Sequence, residues 1–374
     1  MKKLKLMTIV GTRPEIIRLA AIIKLADQYF DHILVHTGQN YDYVLNEIFF
    51  KEFQLRKPDY CLNTVGKNLG ETMGNIISAS YDLIKEVQPD AILILGDTNS
   101  ALSAISAKRL KCPIFHFEAG NRCWDWNVSE MINRTIVDHI SDINIAYTET
   151  ARRNLIQEGI DPKSIFVVGS PMKEVLKLQL PNILKSNVLE KLGLEKGKYF
   201  LLSIQREENV DNHEKFLKLI ETINEVAKQY QYPIIFSVHP RTRKKIEIEK
   251  ITFDSHVQLF KPFGINDYCQ LELNAFCVLS DSGTLSEESS LLKIPAVLLR
   301  TSTERPEVLD KGNLVMGGIE KDNVLNSIEM AIHQDMLSNE IPPEYDVDQV
   351  ALRIIKIIQS YIQVVNLTTW KKNK

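Results

Sequence analysis

Three carboxylates stand where apolar runs end or helical runs begin: Asp97 in AILILGDTNS, Glu118 in CPIFHFEAGNRC and Glu130 in SEMINRTIVDH. Such groups can take a proton from a weakly acidic position and return one, if a nearby cation or dipole stabilises the charge that develops. An acidic residue at the end of a buried strand is costly without a partner or a task. Each also has a bland reading. Asp97 before Thr-Asn-Ser suits a helix cap, and Glu130 with Arg134 has the i,i+4 spacing of a helix ion pair. Two acidic strand ends followed by a third carboxylate nevertheless point to a convergent acid–base set.

Anion-binding chemistry is the complementary signal. In GTRPEIIR, Thr12 can cap a helix, Pro14 fits its first turn and Glu15 suits its positive end. Arg13 adds a fixed cation where helix amides are unpaired, although a well-capped helix alone explains the stretch equally well. In CVLSDSGTLSEESS, Ser282 and Gly283 sit where a helix begins and let a phosphate approach backbone amides. Glu288, nearly two turns into that helix, is placed to accept hydrogen bonds from a ribose diol; a surface glutamate is the alternative. His239 closes the run IIFSVH, and Arg300 and Arg305 in RTSTERPE complete a cationic lining. In LLSIQREENVD a buried run stops at Gln205, with Arg206 and Glu208 holding the loop around it. Neither a Walker loop nor a GxGxxG fingerprint accompanies these stretches.

The elements that must position these residues are short, mostly apolar runs alternating with helical patterns. Strands are predicted at Leu4–Val10, His32–Thr37, Ala91–Gly96, Cys112–Glu118, Ile143–Tyr147 and Ile165–Val168. A second set is predicted at Tyr199–Ile204, Pro233–Val238, Val257–Phe260, Phe276–Ser280 and Ala296–Leu299. Apolar rather than alternating runs indicate parallel strands covered on both faces. Helix-like stretches such as Asn68–Val87 and Glu214–Gln229 lie between them, which predicts α/β architecture: two Rossmann-like, doubly wound domains facing a cleft. Gly169-Ser170-Pro171 marks the break, giving domains at 1–170 and 171–349, with a last helix in 350–374 packing back on the first. Ligands of such sheets bind beyond the carboxyl ends of the strands, so the residues there are the place to look.

Composition limits the alternatives. The 374 residues are 44% hydrophobic and 25% charged with a net charge of −3, so no global basic excess points to nucleic acid or an anionic membrane. The start reads as a first strand rather than a signal peptide, and no segment approaches transmembrane length. Five cysteines without a CxxC pair suit reduced cytoplasmic thiols and argue against zinc.

GTRPEIIR, TGQNYD, GDTNS, FEAGNR, INRTIVDH, QREEN, SDSG-x4-E and TERPE, in that order across almost the whole chain, resemble the non-hydrolysing UDP-N-acetylglucosamine 2-epimerase family. GTRPEIIR, TGQNYD and FEAGNR-C are most similar to the branch that forms UDP-N-acetyl-L-fucosamine from its L-talosamine epimer for capsule and O-antigen synthesis. The resemblance implies a GT-B fold, no cofactor, no metal, a UDP-2-acetamido sugar as substrate and a cytoplasmic homodimer. It also implies a reaction that eliminates UDP across C1–C2 to a 2-acetamidoglycal and adds it back with the proton on the other face.

By the same resemblance Asp97, Glu118 and Glu130 are the catalytic carboxylates, and Arg18 stands where many members carry lysine. Arg13 contacts the diphosphate, Ser282 and Gly283 form the phosphate turn, Glu288 holds the ribose, and His239 and Phe263 lie on the nucleotide side with Arg206, Arg300 and Arg305. Three departures stand out. Ser129-Glu130-Met131 replaces Pro-Glu-Glu, Thr284 replaces a second glycine, and Gln205 replaces a histidine counted among the essential residues. Glutamine can hydrogen-bond a phosphate but carries no proton at neutral pH. An active epimerase, a catalytically impaired UDP-sugar-binding protein, and a GT-B glycosyltransferase or hydrolysing epimerase are the readings left open.

Overall fold

The computed structural model describes residues 2–39 and 43–372, so Asn40, Tyr41 and Asp42 of the TGQNYD motif lie outside the described residues. The chain divides into two compact units. The first comprises Met1–Arg122, Ser129–Lys177 and Glu344–Lys374, and the second Cys123–Val128 and Leu178–Pro343. The chain thus passes to the second unit within the helix Met172–Lys185, not at the Gly169-Ser170-Pro171 turn. That turn is tied to the first unit by the returning chain. Ser170 N–H donates to the Glu344 carbonyl at 2.8 Å, and a Cβ on Gly169 would meet Val347 at 2.1 Å.

The first unit holds seven parallel strands: β1 (Lys5–Val10), β2 (Asp31–His36), β3 (Tyr60–Cys61), β4 (Ala91–Leu95), β5 (Ile114–Phe117), β6 (Ile143–Ala146) and β7 (Ile165–Val167). Their order is β3-β2-β1-β4-β5-β6-β7. The order reverses at β1 and β4, which is where a doubly wound sheet opens a crevice beyond its strand ends. The second unit holds six: β8 (Phe200–Ser203), β9 (Ile234–Ser237), β10 (Val257–Phe260), β11 (Cys277–Ser280), β12 (Ala296–Leu298) and β13 (Val315–Met316). The order β10-β9-β8-β11-β12-β13 repeats the same plan, with its switch at β8 and β11. The strands β4, β5, β9 and β11 are buried at every residue, which accounts for their mostly apolar sequences, with His116 inside β5 and a serine ending β9 and β11. Strands β3 and β13 were not predicted; both are two-residue edge pairs, too short for any periodicity to register.

One expectation is corrected here. The helix Val350–Thr368, with mean hydropathy 1.3, is by length and composition apolar enough to cross a bilayer. In the structure it packs on the helix Arg13–Tyr29 of the first unit. Its buried residues (Val350, Ala351, Ile354, Ile355, Ile358, Ile362, Val365) recur at three- and four-residue spacing, with Arg353 and Lys356 between them. That pattern makes one apolar stripe directed at a core rather than a surface apolar all round.

Candidate active site

In the first unit the candidate residues gather beyond β1, β4, β5 and β6. Glu118, directly after β5, has φ +68°, a left-handed conformation that costs a side-chain-bearing residue roughly 1–2 kcal/mol. The side chain it aims is held from both sides. Arg18 Nη1 lies 3.2 Å from Glu118 Oε2, the Tyr147 hydroxyl donates to the same oxygen at 3.2 Å, and Asn121 Nδ2 donates to Oε1 at 3.3 Å. Arg18 also donates to the Tyr147 hydroxyl at 3.0 Å. Arg18 is almost fully buried and Glu118 nearly so, which makes this a desolvated cation–carboxylate pair in which an arginine, unlike a lysine, engages two partners at once.

Asp97 follows Gly96 at the end of β4. It does not cap a helix: Arg134 Nε donates to its Oδ2 at 2.6 Å, and Asn133 Nδ2 donates to its backbone carbonyl at 2.9 Å. Arg134 therefore reaches across to Asp97 instead of serving only its own helix. Glu130, the first residue of that helix (Glu130–Ile140), is half-buried and accepts from the Ser129 hydroxyl at 3.1 Å. Gly96 and Glu118 are neighbours, since a Cβ on Gly96 would lie 3.5 Å from Glu118 Oε2. The two strand-end carboxylates are thus brought to one edge.

At the first helix Thr12 occupies the N-cap position but does not cap. Its hydroxyl donates to Glu15 Oε2 at 2.7 Å, the Gly11 N–H donates to the same oxygen at 3.0 Å, and the Ser100 hydroxyl donates to Oε1. Glu15 is a buried hub joining the loop after β1 to the loop after β4, a role beyond the helix-end charge read from sequence. Burial pushes its carboxyl up to about 7 against these donors. Arg13 stacks over the Phe49 ring at 5.7 Å.

The second unit carries its own set of candidate residues. Asp281, buried at the end of β11, accepts from the backbone N–H groups of Gln205 (3.0 Å) and Arg206 (3.0 Å) and from Asn209 Nδ2 (3.1 Å). Burial raises its carboxyl despite these donors. The loop is held by its backbone, and the half-buried Gln205 side chain carries none of these bonds. Glu304 gathers two arginines: Arg300 Nη1 at 2.8 Å and Arg206 Nη2 at 3.4 Å. Among the described residues Arg300 Nε and Nη2 are buried without a hydrogen-bond partner, with Glu208 Oε1 3.9 Å from Nε; such donors suit an anion. Glu304 Oε1 also lies where a Cβ on Gly283 would come within 2.8 Å. Arg305 pairs with the buried Glu287 at 3.6 Å.

Ser282 and Gly283 precede the helix Leu285–Leu292 as predicted, and the Ser282 and Thr284 hydroxyls are 2.9 Å apart. Because that helix begins at Leu285, Glu288 lies in its first turn and not nearly two turns in. Glu272 is fully buried; burial first, and then the charge of Glu288, push its carboxyl well above its ordinary value. His239 caps the helix Pro240–Ile248, its Nδ1 accepting from Arg241 N–H at 3.3 Å. Phe263 packs on Phe260 with ring centroids 5.6 Å apart.

A family model described as UDP-N-acetylglucosamine 2-epimerase matches residues 24–359. The chain belongs to the UDP-N-acetylglucosamine 2-epimerase family. The UDP-N-acetylglucosamine 2-epimerase of Methanococcus maripaludis is 38% identical over 335 residues, covering 87% of this chain and 91% of that protein. The structure of UDP-N-acetylglucosamine 2-epimerase from Rickettsia bellii has a TM-score of 0.91 at 44% identity, covering 99% of this chain and 100% of that one. The Methanocaldococcus jannaschii enzyme, crystallised with UDP-GlcNAc and UDP, has a TM-score of 0.90 at 35% identity over 96% and 100% of the two chains. The two parallel-sheet units are therefore those of the GT-B-like fold of this family.

Tyr147, Asn121, Asp281, Glu272 and Glu304 were missed by the sequence reading. Asp281 had the same signal as Asp97 and Glu118, an acid at the end of an apolar run, inside a motif already quoted. Tyr147 closes the apolar run INIA in the same way.

Because the folded state raises the Glu15 carboxyl, it retains a proton between about pH 4.5 and 7 that the unfolded chain has released. Its stabilising contribution is complete below the unfolded value and is lost as pH rises through about 7. Glu15→Gln, which does not titrate, is expected to gain on the order of 2–3 kcal/mol relative to the native protein between pH 5 and 8. Urea unfolding at the two pH values measures this, and parallel stabilities would contradict the assignment.

Proposed function

We propose that this chain epimerises C2 of a UDP-2-acetamido sugar. The observation that carries the proposal is the Glu118 cluster: a carboxylate in a left-handed backbone, tethered to a buried arginine and a tyrosine, beside the Asp97 strand end. A C2 proton is only weakly acidic, so its removal needs a poised carboxylate and stabilisation of the departing diphosphate. In the forward half-reaction a carboxylate of the Asp97, Glu118 and Glu130 set takes the C2 proton. The electron pair forms the C1–C2 double bond, and the C1–O bond breaks to release UDP. In the return half the UDP oxygen attacks C1 and a proton reaches the opposite face of C2. Arg18 stabilises charge beside Glu118.

Arg13, Arg206, Arg300, Arg305 and the turn at Ser282 and Gly283 are assigned to the diphosphate. Glu288 is assigned to the ribose, and His239 and Phe263 to the nucleotide side. Gln205 is assigned a hydrogen bond to phosphate, not proton transfer.

The finer reading is formation of UDP-N-acetyl-L-fucosamine, supported by GTRPEIIR, TGQNYD, FEAGNR-C and Thr284, with the product consumed by a glycosyl transfer into capsule or O-antigen. The names of the relatives favour a second reading, interconversion of UDP-N-acetylglucosamine and its manno epimer. Proton NMR of the protein with each UDP-sugar separately, with EDTA and without NAD, distinguishes them. The C2 epimer is expected from the UDP-2-acetamido-2,6-dideoxy-L-talose substrate. Conversion of the gluco substrate alone would select the second reading, and steady release of free UDP and sugar, or no conversion of either, would contradict both.

Gln205→His is expected to introduce a titration near pH 6.5 into the ratio of variant to native kcat. A flat ratio between pH 5.5 and 8 would show that this position does not touch the reacting atoms.

A further inference from the structure

Behind the two strand-end carboxylates lies a chain of buried charges that the reaction itself does not call on. His116, inside β5, is 1% exposed. Its Nε2 donates to the Gly96 carbonyl at 2.7 Å, and its Nδ1 lies 2.8 Å from Asp138 Oδ1. Asp138, equally buried, uses its second oxygen twice. Gly120 N–H donates to Oδ2 at 3.1 Å and Arg122 Nη1 donates to it at 2.7 Å. Arg122 in turn forms a fork with Glu158, both contacts at 2.7 Å.

The residues at the ends of this chain matter. Gly96 immediately precedes Asp97, and Gly120 lies two residues beyond Glu118. Both glycines have positive φ, +68° and +84°, and a Cβ on Gly120 would meet the Ala151 carbonyl at 2.4 Å. The two turns are therefore glycine-hinged, and each is fastened by one hydrogen bond to the same ion pair.

We propose that His116 and Asp138 form the positioning pair of the acid–base site, holding the Asp97 turn and the Glu118 turn in register through Gly96 and Gly120. The inference rests on the acid–base reading of Asp97 and Glu118. With Asp138 ionised, the ring that serves both contacts is the doubly protonated one. Burial pushes His116 down, but the hydrogen bond and charge of Asp138, the Gly96 carbonyl and the charge of Asp97 outweigh it and raise it. Burial likewise pushes Asp138 up, and His116 and Arg122 more than reverse that. A neutral residue at 116 could not satisfy a carbonyl and a carboxylate from one rigid ring, which is what a buried ion pair contributes here in place of net stability.

Asp138→Asn removes the charge while keeping the shape, and His116→Gln keeps a single donor group. Each is expected to lower kcat about 10- to 100-fold, as a displacement near 1 Å at reacting groups does, with KM and UDP affinity within threefold of native. In a crystal structure of His116→Gln the turns at Gly96-Asp97 and Glu118-Gly120 are expected to shift, while the second unit is unchanged. This readout needs no turnover, so shifted turns in an otherwise inert protein would leave the positioning pair standing and remove the epimerase reading instead. Unshifted turns, or native kcat in a folded His116→Gln protein, would overturn the proposal. If Asp138→Asn fails to fold while His116→Gln keeps native kcat, the network is structural only and the proposal is likewise overturned.

Discussion

A carboxylate at the carboxyl edge of a covered parallel sheet leaves water on one side and an apolar core on the other. It stays there only if donors replace the lost water. Each acidic group at a strand end in this protein meets that constraint with a different donor set. Glu118 has Arg18, Tyr147 and Asn121; Asp97 has Arg134; Asp281 has two backbone amides and Asn209. The differences divide the labour. Glu118, with an arginine partner and a left-handed backbone, is the carboxylate proposed for proton transfer. Where the partners are backbone amides, as at Asp281, the carboxylate shapes a loop.

In the second unit the same constraint shapes the residues proposed to bind the diphosphate. Glu304 sets Arg206 and Arg300 in place, and among the described residues Nε and Nη2 of Arg300 make no hydrogen bond, with Glu208 Oε1 3.9 Å from Nε. Glu272 is buried, and burial together with the Glu288 charge raises its carboxyl well above its ordinary value. Gln205 fits this scheme. Its backbone is anchored by Asp281, so the side chain can change from a proton carrier to a hydrogen-bond donor without loss of the loop that presents it.

Most of this was legible in the sequence where a local rule sufficed. Apolar strands such as AILIL and CPIFHF announced a doubly wound α/β chain, and acids at their ends marked Asp97 and Glu118. Pairings across the sheet were not legible. Arg134 with Asp97 and Arg18 with Glu118 join residues far apart in sequence, and only the strand order brings them together. Glu15 looked like a helix-end charge because its partner Ser100 lies on another loop. The helix Val350–Thr368 shows the converse. Its composition alone allows a membrane span, and only its packing on the helix Arg13–Tyr29 assigns the apolar stripe to a core.

The central claim is that the first unit exchanges a proton at C2 while the second holds UDP. Deuterium incorporation at C2, followed by NMR for the native protein, Asp97→Asn and Glu118→Gln in D₂O, tests it most directly. The account predicts deuterium at C2 of both epimers with the native protein. Both variants should lose exchange by about 10²-fold or more while binding UDP as the native protein does. Epimer formed without deuterium at C2, or exchange undiminished in both variants, would contradict it.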